Sequence, residues 1–225
     1  MVIYHGSRNI IETPTWGEGK RNNDFGLGFY CTEYEELAKE WATIGFNNGF
    51  ANKYSIDCKY LNILNLNTPK FTILNWIAVL LENRLFSIKI PIANKAKRYL
   101  IDNFGVNVDA YDLIIGYRAD DSYFDFAEAF INNSISVGQL SEAMKLGNLG
   151  EQVVVKSKYA FSLLNYEGYS IADKGEYSER YKKRLLCANN QYKKIIDFDS
   201  DDLFVRDIIK YEVDNNDPRI PRNVC

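Results

Sequence analysis

Several residue types and patterns are scarce in this sequence, and each shortage narrows what the protein can be. The four cysteines form no CxxC pair and no zinc-ligand spacing, so a metal site is not expected. No run approaches the roughly 18 apolar residues that a membrane-spanning helix needs, so no membrane contact is expected. The first residues lack the basic start and apolar run of a secretory signal, which with free thiols indicates a cytoplasmic protein. The only histidine is His5, which is either packed in a first strand or part of an active site.

Positive charge is not in excess either. The chain has 27 Lys and Arg against 30 Asp and Glu, a net charge of -3, which argues against a protein that coats nucleic acid. The basic clusters 93–100 and 181–186 are interpreted as solvated helix faces, and a local site for an acidic or nucleic-acid target stays open. Aromatic residues are abundant, with 16 Tyr and 13 Phe, and they suit clefts, interfaces and cores alike.

Strand-like and helix-like segments are interspersed along the chain. Alternating or β-branched residues predict strands at 1–5, 28–32, 52–66, 111–117, 151–157 and 158–173. Apolar residues at helical spacing predict helices at 33–46, 71–86, 90–104, 122–133, 136–147 and 199–213. This mixture predicts one α+β domain over residues 1–225, with 215–225 as a loose tail.

Three short segments place polar residues and glycines beside predicted strands. They are "YHGSR" (4–8), "NDFGLGFYCT" (23–32) and "EQVVV" (151–155). Each alone has an ordinary explanation: a lone histidine on a strand is usually packed in the core, and a glycine-rich strand is often a bulged one. Their order along one chain is more informative than any of them separately.

In this order the segments resemble the three motifs of the ADP-ribosyltransferase superfamily. The match is to the His-Tyr-Glu lineage, which includes poly(ADP-ribose) polymerases and diphtheria-type toxins. "YHGSR" resembles the His-Gly-Ser motif, "FGLGFYCT" the glycine-rich strand that carries a tyrosine, and "EQVVV" the third strand. That lineage has a second aromatic residue eleven positions after the tyrosine, which here is Trp41.

The whole chain further resembles a bacterial family of uncharacterised proteins assigned to this superfamily. That resemblance depends on "NDFGLGFY", "ADDSYFDF" (119–126), "EQVVVKSKYAFSLL" and "FVRDIIK" (204–210). It implies a split, mainly antiparallel sheet surrounded by helices. Members of that family often lie beside small antitoxin-like proteins, which implies the toxin of a toxin–antitoxin or phage-defence pair and a small antitoxin as partner.

The resemblance implies a role for five residues in binding NAD, the substrate. His5 would bond an adenosine-ribose hydroxyl as a neutral imidazole, and Tyr30 and Trp41 would stack around the nicotinamide ring. Gly6 would bring backbone groups close to the carboxamide, and the Ser7 hydroxyl would add a hydrogen bond. His5 and Tyr30 would thereby belong to the catalytic residues.

The third motif departs from the lineage because its catalytic position is either Glu151 or Gln152. Neighbours on a strand point to opposite faces, so only one of the two reaches NAD, and Gln152 is favoured. A glutamine adds no negative charge to oppose an oxocarbenium-like ribose. The resulting hypothesis is a mono-ADP-ribosyltransferase with a protein or nucleic-acid acceptor. An NAD glycohydrolase and an inactive NAD- or ADP-ribose-binding module are the alternatives.

Of two further groups of charged residues, the first has both a structural and a functional interpretation. Asp120 and Asp121 fit a helix N-terminus, while a cleft position would let one of them, or Arg118, act on the acceptor. Arg206 and Asp207 are interpreted as an ion pair that holds the last helix.

Overall fold

A computed structural model describes residues 1–45, 47–119, 121–146, 151–197 and 202–223, with residues 121 and 122 described in their backbone only. These ranges contain seven strands and eight α-helices. The strands are β1 (Val2–Ser7), β2 (Phe29–Cys31), β3 (Gly49–Ile56), β4 (Ile63–Asn65), β5 (Leu113–Tyr117), β6 (Glu151–Val155) and β7 (Leu164–Ala172). The helices are α1 (Glu35–Ala42), α2 (Ile73–Asn83), α3 (Pro91–Phe104), α4 (Asp121–Ile131), α5 (Val137–Ala143), α6 (Lys158–Ser162), α7 (Lys174–Ile196) and α8 (Val205–Lys210).

The strands form two sheets, which gives an α+β fold. One sheet has the order β1-β3-β7 and is antiparallel throughout. The other has the order β2-β6-β5-β4, with one parallel pair, β4 with β5. The backbones of Tyr4 and Thr32 exchange two hydrogen bonds, of 2.7 and 3.0 Å, which join β1 to β2. The two sheets are therefore continuous at one corner, where the first two sequence motifs meet.

Two hydrophobic clusters lie on opposite faces of the sheet that contains β6. Val154 belongs to the larger cluster, which includes residues of α2, α3, α4, α5 and α8. Val153 and Val155 belong to a smaller cluster, together with Ile3 of β1 and Tyr54 of β3. This alternation along β6 assigns each of its side chains to a face.

Several predicted elements agree closely with the observed ones, and each has a clear local cause. Helix α3 begins at Pro91, which is favoured in a first turn because its missing N–H would have no partner there. Helix α5 begins after Ser136, whose Oγ accepts a hydrogen bond from the backbone N–H of Gln139. Three stretches differ in detail. The segment 52–66 contributes to β3 and β4, 158–173 contains α6 before β7, and the closing helix α8 spans 205–210 only.

Helix α7 is the longest helix described, and the sequence indicated a helix only for its part 181–186. Only Tyr177 and Ala188 of its 23 residues are buried, so it has no apolar stripe to signal its length. The contacts that α7 makes with α1 are polar. Arg180 bonds Glu36 at 2.6 Å, and Arg184 pairs with the buried Glu40.

The C-terminal residues pack against the domain, although the sequence predicts a loose tail. Ile220 and Asn223 are buried. The Asn223 backbone N–H donates to the Phe71 carbonyl at 3.1 Å, and its side chain donates to the Leu66 carbonyl at 2.7 Å. A single buried amide of this kind leaves no periodic signal in the sequence.

No helix in the described ranges combines the length and the apolar character that crossing a membrane requires.

Candidate active site

A cavity of about 870 Å³ lies where the two sheets meet. Six of the residues proposed from the sequence line it: His5, Gly6, Ser7, Tyr30, Trp41 and Gln152. These residues come from β1, β2, α1 and β6 and are up to 147 positions apart in the chain. The fold therefore brings together side chains from all three sequence motifs.

His5 lies in the cavity wall as a neutral imidazole. Its Nδ1 is 2.7 Å from the Tyr30 carbonyl oxygen, and because a carbonyl can only accept, the proton is assigned to Nδ1. The other ring nitrogen, Nε2, is then an acceptor. The ring stacks on Phe29 with centroids 4.3 Å apart. Burial lowers the pKa of His5, and the hydrogen bond to Tyr30 opposes this shift only in part. A neutral acceptor suits a sugar hydroxyl.

The lowered pKa of His5 makes stability depend on pH in a direction that can be tested. Below about pH 6.5 the unfolded chain binds a proton that the folded chain excludes. The free energy of unfolding therefore falls as the pH drops below about 6.5, by up to about 1.4 kcal/mol per pH unit. Above that pH His5 is neutral in both states and has no such effect. Urea unfolding at several pH values should show this loss in the wild type and not in His5→Gln. The proton NMR signal of this single imidazole should titrate below pH 6.5, and a midpoint at or above that value would contradict the assignment.

Tyr30 holds the turn that precedes it. Its hydroxyl donates to the Gly26 carbonyl at 2.6 Å and accepts from the Phe25 backbone N–H at 3.0 Å. Gly26 has φ +71°, a left-handed conformation that glycine adopts at little cost. Burial raises the pKa of Tyr30 well above its usual range. The phenol thus fixes the backbone around residue 24, and its ring contributes to the cavity wall.

Trp41 contributes its indole to the cavity, but one ring face is already covered. The Arg118 guanidinium lies 4.1 Å from the ring centroid of Trp41, a cation–π arrangement. A nicotinamide ring can stack on that face only if Arg118 moves.

Gly6 and Ser7 are constrained mainly by neighbouring backbone. A Cβ on Gly6 would lie 2.0 Å from the Ala38 carbonyl oxygen, so close packing of α1 already requires glycine there. The Ser7 hydroxyl donates to the Asn9 carbonyl at 2.5 Å and accepts from Asn52 Nδ2 at 3.1 Å. The loop after β1 therefore uses most of the hydrogen-bonding capacity of Ser7, and one lone pair is left for a ligand.

The two candidates of the third motif point to opposite faces of the sheet. Gln152 shares a face with Val154, the strand partner of Tyr30, and it lines the cavity. Its Nε2 donates to Asp24 Oδ2 and to the Tyr117 carbonyl, both at 2.9 Å. Glu151 lies on the other face, where its Oε1 accepts from Asn67 Nδ2 at 2.7 Å. Gln152 is thus the member of the pair that is within reach of a cavity ligand.

Asp24 and Arg84 belong to the same cavity wall, and the sequence did not single them out. Asp24 is 5% exposed, and its Oδ1 lies 2.6 Å from Arg84 Nη1. Its Oδ2 accepts from the Ala119 backbone N–H at 2.8 Å and from Gln152. The segment "NDFG" contained Asp24, but an aspartate in a glycine- and asparagine-rich loop usually indicates only a turn.

Among the described residues of the cavity wall, positive side chains outnumber negative ones. Lys20, Arg84, Arg118 and Lys156 line it, against Glu18 and Asp24. The whole chain, by contrast, has a net charge of -3. The local excess of positive charge favours an anionic ligand, and a diphosphate is a common one.

Arg118, for which the sequence left a cleft position open, does line the cavity. The remaining residues with predicted roles lie elsewhere or outside the described structure. Asp120 and the side chain of Asp121 are outside the described residues. Arg206 Nε is 3.6 Å from Asp207 Oδ1. Asp207 Oδ2 also accepts from the Phe204 backbone N–H at 3.1 Å, so Asp207 caps the start of α8.

Comparison with known proteins places the chain in a family without assigning an activity. No curated protein and no solved structure matches it. Residues 1–166 match a family described as "Protein of unknown function (DUF3990)". This match covers β1 to β6 and therefore every cavity residue discussed above. The chain belongs to the DUF3990 family.

Proposed function

We propose that the cavity binds NAD and that the protein transfers ADP-ribose from it to a macromolecular acceptor, as the motifs of the ADP-ribosyltransferase superfamily imply. The observation that carries the proposal is the convergence of His5, Tyr30, Trp41 and Gln152 on one cavity. Three of them stand at the motif positions of "YHGSR", "FGLGFYCT" and "EQVVV", and Trp41 is the aromatic residue eleven positions after Tyr30.

The chemistry of the wall fits the parts of NAD. His5 Nε2 is a hydrogen-bond acceptor for a ribose hydroxyl because Nδ1 carries the proton. Gln152 Oε1 is a second acceptor, since both amide protons have other partners. The Arg118 and Lys20 side chains supply positive charge for the diphosphate. The volume of about 870 Å³ is within the range of small-molecule sites.

The reaction breaks the bond between the nicotinamide nitrogen and the ribose C1′. Nicotinamide leaves with the electron pair, and a nucleophile on the acceptor forms the new bond to C1′ and loses its proton to water. The ribose is oxocarbenium-like between these events, so charge stabilisation controls the rate. Gln152 contributes a dipole and no full charge, which favours a single transfer over chain elongation.

Labelled NAD distinguishes the possible activities. We expect label from adenine-labelled NAD to appear on protein or nucleic acid of a bacterial lysate, and His5→Ala to reduce NAD affinity by about tenfold because one ribose hydrogen bond is lost. Saturable NAD binding, measured by titration calorimetry, is the separate readout. Asp102→Asn, on the exposed face of α3, is the matched surface control.

Each other outcome has a defined meaning. Free ADP-ribose with unlabelled macromolecules would indicate hydrolysis in place of transfer. Saturable binding without turnover would indicate a binding module. Absence of saturable binding would contradict the proposal. Growth arrest in cells that express the wild type and not His5→Ala would support a toxin role.

A further inference from the structure

The amide group of Gln152 has its orientation imposed by two acceptors. Nε2 is 2.9 Å from both Asp24 Oδ2 and the Tyr117 carbonyl oxygen. Neither partner can donate, so the nitrogen must occupy this position and Oε1 the other. Gln152 is 3% exposed, and it lines the cavity. The described part of the chain donates no hydrogen bond to Oε1, so this oxygen is left for a ligand.

Asp24 itself is fully engaged in the wall. Oδ1 pairs with Arg84 at 2.6 Å, while Oδ2 accepts from the Ala119 backbone and from Gln152. A carboxylate with these partners has little capacity to contact a substrate directly. Its effect on a ligand must therefore pass through Gln152.

The same network extends to the first two sequence motifs. His5 bonds the Tyr30 carbonyl, and the Tyr30 hydroxyl bonds the backbone of Phe25 and Gly26. These two residues directly follow Asp24 in the chain. The histidine, the tyrosine and the glutamine of the three motifs are thus connected through the loop that carries Asp24.

We infer that Asp24 is a positioning residue that turns Gln152 into a hydrogen-bond acceptor for a hydroxyl group of the substrate ribose. This inference rests on the proposed function. Asp24 and the Tyr117 carbonyl take both amide protons, so Gln152 presents an oxygen where the resembling lineage has a glutamate. The amide is then required by its surroundings and is not a degenerate form of the carboxylate.

A glutamate at position 152 would conflict with its neighbours. Its second oxygen would replace Nε2 and lie about 2.9 Å from the Asp24 carboxylate and from the Tyr117 carbonyl. Three acceptors would then face each other with no proton among them, in a position that is 3% exposed. The new carboxyl group would have to bind a proton or move. Gln152→Glu should therefore impair the site. If Gln152 were only a degenerate replacement of the lineage's glutamate, the same substitution would raise the activity.

The test compares four proteins: the wild type, Gln152→Glu, Asp24→Asn and the double variant. NAD cleavage is measured as kcat and KM, and thermal melting is measured between about pH 5 and 8. We expect Gln152→Glu and Asp24→Asn each to reduce kcat by about 10- to 100-fold, with a smaller change in KM. The double variant should recover part of the loss of Gln152→Glu, because the amide introduced by Asp24→Asn can donate to the new carboxylate. Asp102→Asn removes one surface carboxylate and should match the wild type.

Melting provides a readout that does not need activity. Burial and the nearby Asp24 carboxylate would raise the pKa of the new carboxyl in the folded chain, so stability is lost as the pH rises above about 4.3. The Tm of Gln152→Glu should therefore fall relative to the wild type from pH 5 to pH 8, and less so in the double variant.

Several results would overturn the inference. A Gln152→Glu protein that is more active than the wild type, or an Asp24→Asn protein with wild-type kcat, shows that Asp24 does not act through Gln152. Equal pH dependence of melting in the wild type and Gln152→Glu contradicts the Asp24–Gln152 contact itself. A wild type that neither binds nor cleaves NAD overturns the proposed function and the ligand role of Gln152, while the melting curves still report on the contact.

Discussion

Gly6→Ala should destabilise the protein by about 3 kcal/mol or more, the largest effect expected of any single methyl group near the cavity. The added Cβ would lie 2.0 Å from the Ala38 carbonyl oxygen and 3.0 Å from the Ala42 nitrogen. Both atoms are helix backbone, so no side-chain rotation relieves the contact. Helix α1 would have to move away from β1, and Trp41 would move with it.

Chemical denaturation followed by circular dichroism measures this change, and a shift in Tm of roughly 6 to 12 °C corresponds to it. Gly168→Ala is the control within the same sheet, because a Cβ there meets no atom within 4 Å. Gly168 has φ +118°, so its substitution costs only backbone strain, about 1 kcal/mol or slightly more. A Gly6→Ala protein as stable as Gly168→Ala would show that α1 does not pack on β1 as described.

Arg84→Met should cost about 2 to 3 kcal/mol because it leaves the Asp24 carboxylate buried without its cation. The Asp24 side chain is 6% exposed, and the Arg84 side chain is 26% exposed, which lowers the expected cost from that of a fully buried pair. Methionine retains part of the packing on Phe124, whose ring centroid lies 4.3 Å from the guanidinium carbon. The loss is therefore mainly electrostatic.

A double-mutant cycle isolates this interaction. Asp24→Asn in the Arg84→Met background removes the unpaired charge and should recover about 1 to 2 kcal/mol, measured by urea unfolding at neutral pH. Arg98→Met, on an exposed position of α3, should change stability by less than about 0.5 kcal/mol. Additive effects of the two cavity substitutions would contradict a direct Asp24–Arg84 pair.

The elements that the sequence predicted well are those whose signal is local. The start of α3 follows from Pro91, the start of α5 from Ser136, and β6 from its run of valines. Two adjacent residues on β6 also had to face opposite ways, since the strand has a period of two. Which one faced the cavity could not follow from this rule, because it depends on the pairing of β6 with β2 and β5.

The features that the sequence did not predict depend on distant partners. Asp24 is 60 residues from Arg84 and 128 from Gln152, and only the fold makes them one cluster. Most of α7 was missed because its contacts with α1 are ion pairs and hydrogen bonds and no apolar stripe marks its length. For Gly6 the resemblance implies a ligand contact, and the structure adds a second reason for glycine, the nearby backbone of α1.

The family match ends at residue 166, while β7 continues to Ala172 and α7 follows it. Strand β7 completes the sheet beside β3, and Tyr181 of α7 contributes to the cavity wall. The stretch that defines family membership is therefore shorter than the unit that folds. The wall around His5 and Gln152 lies within the shared stretch, and Tyr181 lies outside it. Sequence changes beyond residue 166 can therefore alter one part of the cavity wall while the residues of the shared stretch stay the same.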